Sequence, residues 1–251
     1  MPWVETESPS FAARHDSADS EAAAQLLEEL EGFRVRLAEL FEVTPSVSVV
    51  IHPSSIQLGL AHPWLPLARM IAAPAGRRYF AGWFSAREIH VLGPEALEER
   101  ASAVRGSLET LRLTALHEYA HVVVGANNPR LPPPFTARRV CTYARWAWLC
   151  EGAATYLSGQ ERWLRPAIAR RLHEGRPPHF PPSARDALLF GGTVFGLLER
   201  LGGTEACVSL ATSLSPHGQR AAIEEAFGAR VREVEVEWRR YLTELTELRA
   251  A

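Results

Sequence analysis

The chain has 251 residues, of which 47% are hydrophobic and 22% charged, and its formal net charge is −2. This length and apolar content suit one folded domain, and the small net charge gives no electrostatic reason to expect a nucleic-acid partner. All 27 basic residues are arginine, which excludes a phosphate-binding loop of the Gly-Lys-Ser/Thr type and any Schiff-base lysine.

The first part of the chain predicts a tail, one helix and a small sheet. Residues 1–18 are acidic and serine-rich and predict a flexible tail. From Ser20 to Phe41, apolar residues recur every three or four positions, which predicts an amphipathic helix. Alternating or β-branched segments then predict three strands, at 46–53, 78–84 and 88–94.

The second part of the chain predicts helices. Helical periodicity and capping residues indicate helices at 107–124, 138–159, 186–203, 204–214, 217–227 and 231–251. A sheet followed by helices is typical of an α+β domain. We therefore predict one domain over residues 19–251, with the sheet at about 44–94 and a helical part at about 97–251.

The strongest functional signal is the segment His117-Glu118-Tyr119-Ala120-His121. Residues four positions apart lie on one face of a helix, so both imidazoles can reach a single Zn²⁺ ion. Glu118 is offset along the turn and can accept a proton from a water molecule that the ion activates. The flanking residues are uncharged, which indicates a buried helix in which metal binding would offset the burial of three polar groups.

A zinc hydrolase site needs a third protein ligand. In one group of zinc peptidases a Gly-and-His extension follows the motif, but Val124 and Asn127 occupy those positions here. The better candidate is Glu151, within Trp148-Leu149-Cys150-Glu151-Gly152-Ala153-Ala154-Thr155-Tyr156. Around these two motifs the chain resembles the gluzincin metallopeptidases, in which a second helix carries a ligand glutamate.

The resemblance implies a zincin-like fold in which His117, His121 and Glu151 bind zinc and Glu118 is the general base. It also implies that an edge strand before the zinc helix pairs with the substrate backbone, and residues 88–93 (EIHVLG) are the candidate, with a strand inside the core as the alternative for the same segment. No residue is assigned as the donor that stabilises the oxyanion, for which Tyr156, His173 and His179 are candidates.

We therefore predict a zinc-dependent metallohydrolase, a peptidase that acts on peptide or protein substrates. The alternatives are a catalytically silent zinc-binding scaffold, a zinc hydrolase of a non-peptide amide, and a metal-free helical protein with buried histidines.

Three cysteines, no long apolar run and no signal-peptide pattern favour the cytoplasm. Arginine without lysine suggests a GC-rich bacterial genome. Substrate specificity and oligomeric state are not predicted.

Overall fold

The computed structural model describes residues 3–62, 64–174 and 176–247. Five strands form one mixed sheet at the start of the chain: β1 (Trp3–Glu7), β2 (Phe11–Asp16), β3 (Val47–His52), β4 (Gly82–Phe84) and β5 (Glu88–Leu92). Their order across the sheet is β1-β2-β3-β5-β4. The two outer pairs, β1 with β2 and β4 with β5, are antiparallel, whereas β3 is parallel to both of its neighbours.

The prediction of a flexible tail at residues 1–18 is wrong, because β1 and β2 lie within it. β2 alternates between the core and the outside, with Phe11, Ala13 and His15 buried. His15 is accommodated because its ring is hydrogen-bonded to the Thr6 hydroxyl and to the Asp16 carbonyl. The sheet therefore begins at Trp3 instead of near residue 44.

The strand predicted at 46–53 is confirmed as β3, but two expectations for the other strands are wrong. Only the end of the segment 78–84 is a strand, because the Arg69 and Arg100 guanidinium groups both donate to the Phe80 carbonyl and residues 77–79 form a 3₁₀ turn. The segment EIHVLG forms β5, which lies between β3 and β4 and is an interior strand. The edge strand on that side is β4.

Twelve helices are described, and most of them follow the sheet. They are α1 (Ser20–Ala38), α2 (Ser55–Ala61), α3 (Trp64–Ile71), α4 (Pro94–Arg100), α5 (Ser107–Arg112), α6 (Thr114–Asn127), α7 (Ala137–Arg145), α8 (Ala147–Leu157), α9 (Glu161–Leu172), α10 (Ala187–Thr212), α11 (Gln219–Phe227) and α12 (Val231–Glu247). The α+β order of sheet before helices is thereby confirmed. None of these helices is long and apolar enough to cross a membrane.

Several helix boundaries differ from the predicted ones. The predicted helix 107–124 is two helices that meet at Leu113, and the predicted helix 138–159 is two helices that meet at Trp146, whose φ of −106° and ψ of 24° interrupt the helix. The predicted helices 186–203 and 204–214 are joined in α10, which contains a kink at Gly203. Four helices, α2, α3, α4 and α9, have no counterpart among the predicted elements, and residues 248–251 of the predicted last helix lie outside the described residues.

The contact between α8 and α10 fixes the helix that carries Glu151. Gly152 of α8 faces Gly191 of α10, and a Cβ atom at Gly152 would lie 2.6 Å from the Gly191 carbonyl carbon. Because neither helix has a side chain at this point, the two backbones lie in direct contact. α8 also packs against α6, so it is held between the motif helix and α10.

Candidate metal centre and active site

Helix α6 supplies three of the four predicted site residues. Every residue from Thr114 to Gly125 is buried, as expected for a helix that is apolar on all sides. His117 and His121 are each 5% exposed and Glu118 is 8% exposed. The ring of His121 stacks on Phe84 of β4, with centroids 4.5 Å apart and planes inclined by 13°. The edge strand of the sheet thus fixes the orientation of one predicted ligand.

The structure brings the three predicted metal ligands together. The two Nε2 atoms of His117 and His121 lie 3.1 Å apart. Oε2 of Glu151 is 3.4 Å from Nε2 of His117, and Oε1 is 3.6 Å from Nε2 of His121. A tetrahedral zinc ion with bonds of about 2.0–2.1 Å separates its ligand atoms by about 3.3–3.4 Å. Two imidazoles and one carboxylate at these separations fit a single metal ion, although the geometry does not identify which metal it is.

Glu151 reaches the motif helix because the chain turns sharply before α8. The break at Trp146 lets α7 fold back beside the site, and this places Tyr143 next to the Glu151 side chain. The Tyr143 hydroxyl donates to Oε1 of Glu151, the same oxygen that faces His121. Tyr143 therefore holds one carboxylate oxygen, while Oε2 remains directed at His117.

The three predicted ligands change one another's pKa values. Burial opposes ionisation of Glu151, but the hydrogen bond from His117 and the charges of both histidines outweigh it and lower the pKa of Glu151 to about 2. Burial likewise opposes protonation of His117, but the hydrogen bond and charge of Glu151 raise its pKa. Burial lowers the pKa of His121 to about 3. A neutral imidazole and an ionised carboxylate are the forms that bind a metal.

Glu118 differs from Glu151 in its surroundings. Burial, with a smaller contribution from the charge of Glu151, raises the pKa of Glu118 to about 8. Its side chain packs on β4, where a Cβ atom at Gly82 would lie 2.6 Å from Oε1 of Glu118. Glycine at this position is what leaves room for the carboxyl group. Glu118 is therefore a buried carboxyl group whose place in the site is set by the absence of a side chain at Gly82.

The side chains of the four predicted site residues line one cavity of about 270 Å³. It lies between the sheet edge, α6, α7, α8 and the start of α10, and the four residues are His117, Glu118, His121 and Glu151. The rest of its wall is mainly apolar, with Phe84 on the sheet side and Leu188 on the helix side. The loop between α6 and α7 contributes Phe135. The predicted ligands and base thus open onto a common space that a substrate could enter.

The three candidate oxyanion donors lie elsewhere. The Tyr156 hydroxyl donates to Glu199, and its ring stacks on Phe195. His173 and His179 are exposed, and the ring of His173 is hydrogen-bonded to the Ala169 carbonyl. None of the three lines the cavity. Tyr143 does line it, and its position N-terminal to Glu151, across a helix break, left no local pattern by which it could be found.

Comparison of the chain with family models, with curated proteins and with solved structures gives no match.

Proposed function

We propose that the chain is a zinc-dependent metallohydrolase with a gluzincin-like site, and that it hydrolyses peptide bonds. One observation carries the proposal: the ligand atoms of His117, His121 and Glu151 lie 3.1–3.6 Å apart and face the same cavity as a second carboxyl group, that of Glu118. A structural zinc site has four protein ligands, whereas a catalytic site has three and keeps one position open. Three ligands beside a cavity correspond to the second type.

In this proposal His117, His121 and Glu151 hold the ion. When bound, zinc polarises the carbonyl group of the substrate and makes water acidic enough to ionise near neutrality. Glu118 takes the proton from the attacking water and transfers it to the leaving amine, a role that suits a carboxyl group buried against Gly82. Tyr143 fixes the rotation of the Glu151 carboxylate through its hydroxyl group.

The position of the edge strand supports a peptide as the substrate. β4 pairs with β5 on one side only within the described sheet, and its residues Gly82 and Phe84 contact Glu118 and His121. An extended peptide that paired with the free edge of β4 would place its backbone beside the predicted base. We also propose that the protein is bacterial, that it resides in the cytoplasm, and that its substrates are peptides or proteins.

The test is zinc content and peptide hydrolysis in the wild type and three variants. We expect one zinc ion per wild-type chain, a large loss of zinc in Glu151→Ala, and full zinc content without hydrolysis in Glu118→Gln. The matched control is Glu199→Gln, because Glu199 bonds to Tyr156 outside the cavity, and it should retain both properties. Well-folded wild type without bound metal would contradict the proposal, as would hydrolysis by Glu118→Gln.

A catalytically silent zinc protein is the second candidate. It is favoured by the Tyr143 hydroxyl, which lines the cavity but donates its proton to Glu151 and so is not free to donate to an oxyanion. Loss of one such donor typically costs about 10²–10³ in rate. Stoichiometric zinc together with no cleavage across a diverse peptide library would favour this candidate over a peptidase.

A further inference from the structure

The cavity beside the candidate metal centre has a mainly apolar wall. Apart from the site residues and the two amphipathic rings of Tyr79 and Trp83, its bulky lining side chains are apolar, and they include Leu65, Phe80, Phe84, Phe135, Val140 and Leu188. Small residues complete the wall, among them Ala147 and Ala187. A cavity of roughly 150 Å³ with such a lining is enough to hold a benzene ring. The volume of about 270 Å³ therefore has room for one large apolar side chain.

Apart from the site residues, none of the described residues that line this cavity could neutralise a charged end of a peptide. Among the described lining residues, the only carboxyl groups are Glu118 and Glu151, which the proposed function uses as base and ligand. An aminopeptidase needs a further carboxylate for the substrate's ammonium group, since a buried charge without a partner is costly. No arginine lines the cavity either, so a terminal carboxylate would also lack a partner.

Five arginines in the segments that surround this wall donate to backbone carbonyl groups. Arg69 and Arg100 donate to the Phe80 carbonyl, Arg78 donates to the Arg100 carbonyl, and Arg139 donates to the Pro133 carbonyl. Arg77 donates to the Ala72 carbonyl. These guanidinium groups hold the segments behind the wall in place, and none of the five residues reaches the cavity surface.

We infer that the cavity receives the large, uncharged apolar side chain of an internal residue, so that the chain cleaves within polypeptides next to such a residue. This inference rests on the proposed function, because it names the substrate class of the same site. The edge strand β4 contributes Gly82, Trp83 and Phe84 to the cavity wall, and an edge strand suits the continuous extended backbone of an internal segment. A chain end would leave its charge against the apolar wall.

The test uses zinc-loaded Glu118→Gln protein, so that binding is measured without turnover. The ligands are the blocked pentapeptides acetyl-Ala-Ala-Xaa-Ala-Ala-amide, in which Xaa is Phe, Leu, Gly, Asp or Arg, and the same peptides with free ends. By calorimetry we expect the Phe and Leu peptides to bind at least about tenfold more tightly than the others, and free ends to give no gain. Tighter binding of charged or free-ended peptides, or no binding of any peptide, would overturn the inference.

A variant that does not disturb the core gives a second readout. Val140 lines the cavity but is 45% exposed, so Val140→Arg adds a cation to the wall and should weaken binding of the Phe peptide while strengthening that of the Asp peptide. Val236→Arg makes the same change on the exposed face of α12 and should alter neither. Unchanged selectivity in Val140→Arg would contradict the assignment of this cavity.

Wild-type hydrolysis separates this inference from the proposed function. Cleavage of the blocked Phe peptide, located by mass spectrometry beside Xaa, supports both. Cleavage that requires a free end or a charged Xaa would sink the inference and leave the peptidase intact. Selective binding of the Phe and Leu peptides without any cleavage would reject the peptidase, while the assignment of an apolar occupant would stand.

Discussion

Tyr143 of α7 contacts two of the three predicted metal ligands, Glu151 of α8 and His121 of α6. Its hydroxyl donates to Glu151, and its ring lies within 6.1 Å of the His121 ring. Groups that bond to a metal ligand fix that ligand's orientation, and their loss typically weakens metal binding by about 10- to 100-fold. At the scale of single residues, the quality of the candidate metal site therefore depends on a tyrosine that belongs to neither zinc motif.

Replacement of Tyr143 by phenylalanine should lower zinc affinity by about 10- to 100-fold, because the Glu151 carboxylate loses its only described hydroxyl partner. Affinity is measured by competition with a chelator, which does not depend on activity. Tyr156→Phe is the control, since the Tyr156 hydroxyl bonds to Glu199. Equal zinc affinity in wild type and Tyr143→Phe would show that the hydrogen bond does not organise the site.

Gly82 determines where the Glu118 carboxyl group lies. A Cβ atom there would be 2.6 Å from Oε1 and 2.7 Å from Cγ of Glu118, so Gly82→Ala must displace the side chain. A misplacement of about 1 Å can cost about 100-fold in rate, and we expect a loss of that order in kcat/KM with unchanged zinc content. Gly59→Ala on α2 meets no atom within 4 Å and should be silent. Full activity in Gly82→Ala would argue against Glu118 as the base.

A site residue can be predicted from the sequence when its place depends on residues near it in the chain. His117, Glu118 and His121 share one helix face, so their spacing alone places them together. Glu151 lies on another helix, and it is predicted as a ligand only because the residues around it resemble the gluzincin motif. Tyr143 was missed because its position depends on the break at Trp146, where the sequence shows one continuous apolar-periodic helix.

At the scale of elements, the ends of α9 and α10 are joined by a buried ion pair. Arg171 donates two hydrogen bonds to the Asp186 carboxylate, of 2.8 and 2.9 Å, and both residues are buried. Asp186 stands directly before α10, whose first residue Ala187 lines the cavity. The pair thus sets where α10 begins relative to the site.

Arg171→Ala should lower the free energy of unfolding by about 3–5 kcal/mol, because Asp186 would be left buried without its partner. The neighbouring Arg170 makes an exposed pair with Glu174, and Arg170→Ala should cost about 1 kcal/mol or less. Denaturant titration of both variants measures the difference. Similar losses in the two variants would mean that the buried pair contributes no more than the exposed one.

At the scale of the whole molecule, the α+β order was predictable and the sheet order was not. Local periodicity identifies β3 and β5 as strands, but which strand lies at the edge depends on pairing between distant segments. β4 has only three residues and covers the outer side of β5. β2 carries Ala13 and His15 at inward positions, and burial of the polar His15 ring depends on the Thr6 hydroxyl of the neighbouring strand β1.

The packing of three helices in the C-terminal half makes stability depend on pH. Glu161 begins α9, accepts a hydrogen bond from Tyr241 of α12, and lies against Gly196 of α10. Burial, opposed in part by this hydrogen bond, raises the pKa of Glu161 from 4.5 to about 7. The folded state therefore binds this proton more tightly than the unfolded state, so its contribution to stability is present below about pH 4.5 and is lost as the pH rises towards 7.

Glu161→Gln keeps an acceptor for Tyr241 and removes the ionisation. The variant should match the wild type near pH 4.5 and exceed its unfolding free energy by about 3 kcal/mol at pH 8, as measured by urea titration at the two pH values. Glu205→Gln, at an exposed position of α10, controls for the loss of one negative charge. A difference that does not grow with pH would mean that the proton is not held at Glu161, and that the junction of α9, α10 and α12 tolerates its ionised carboxylate.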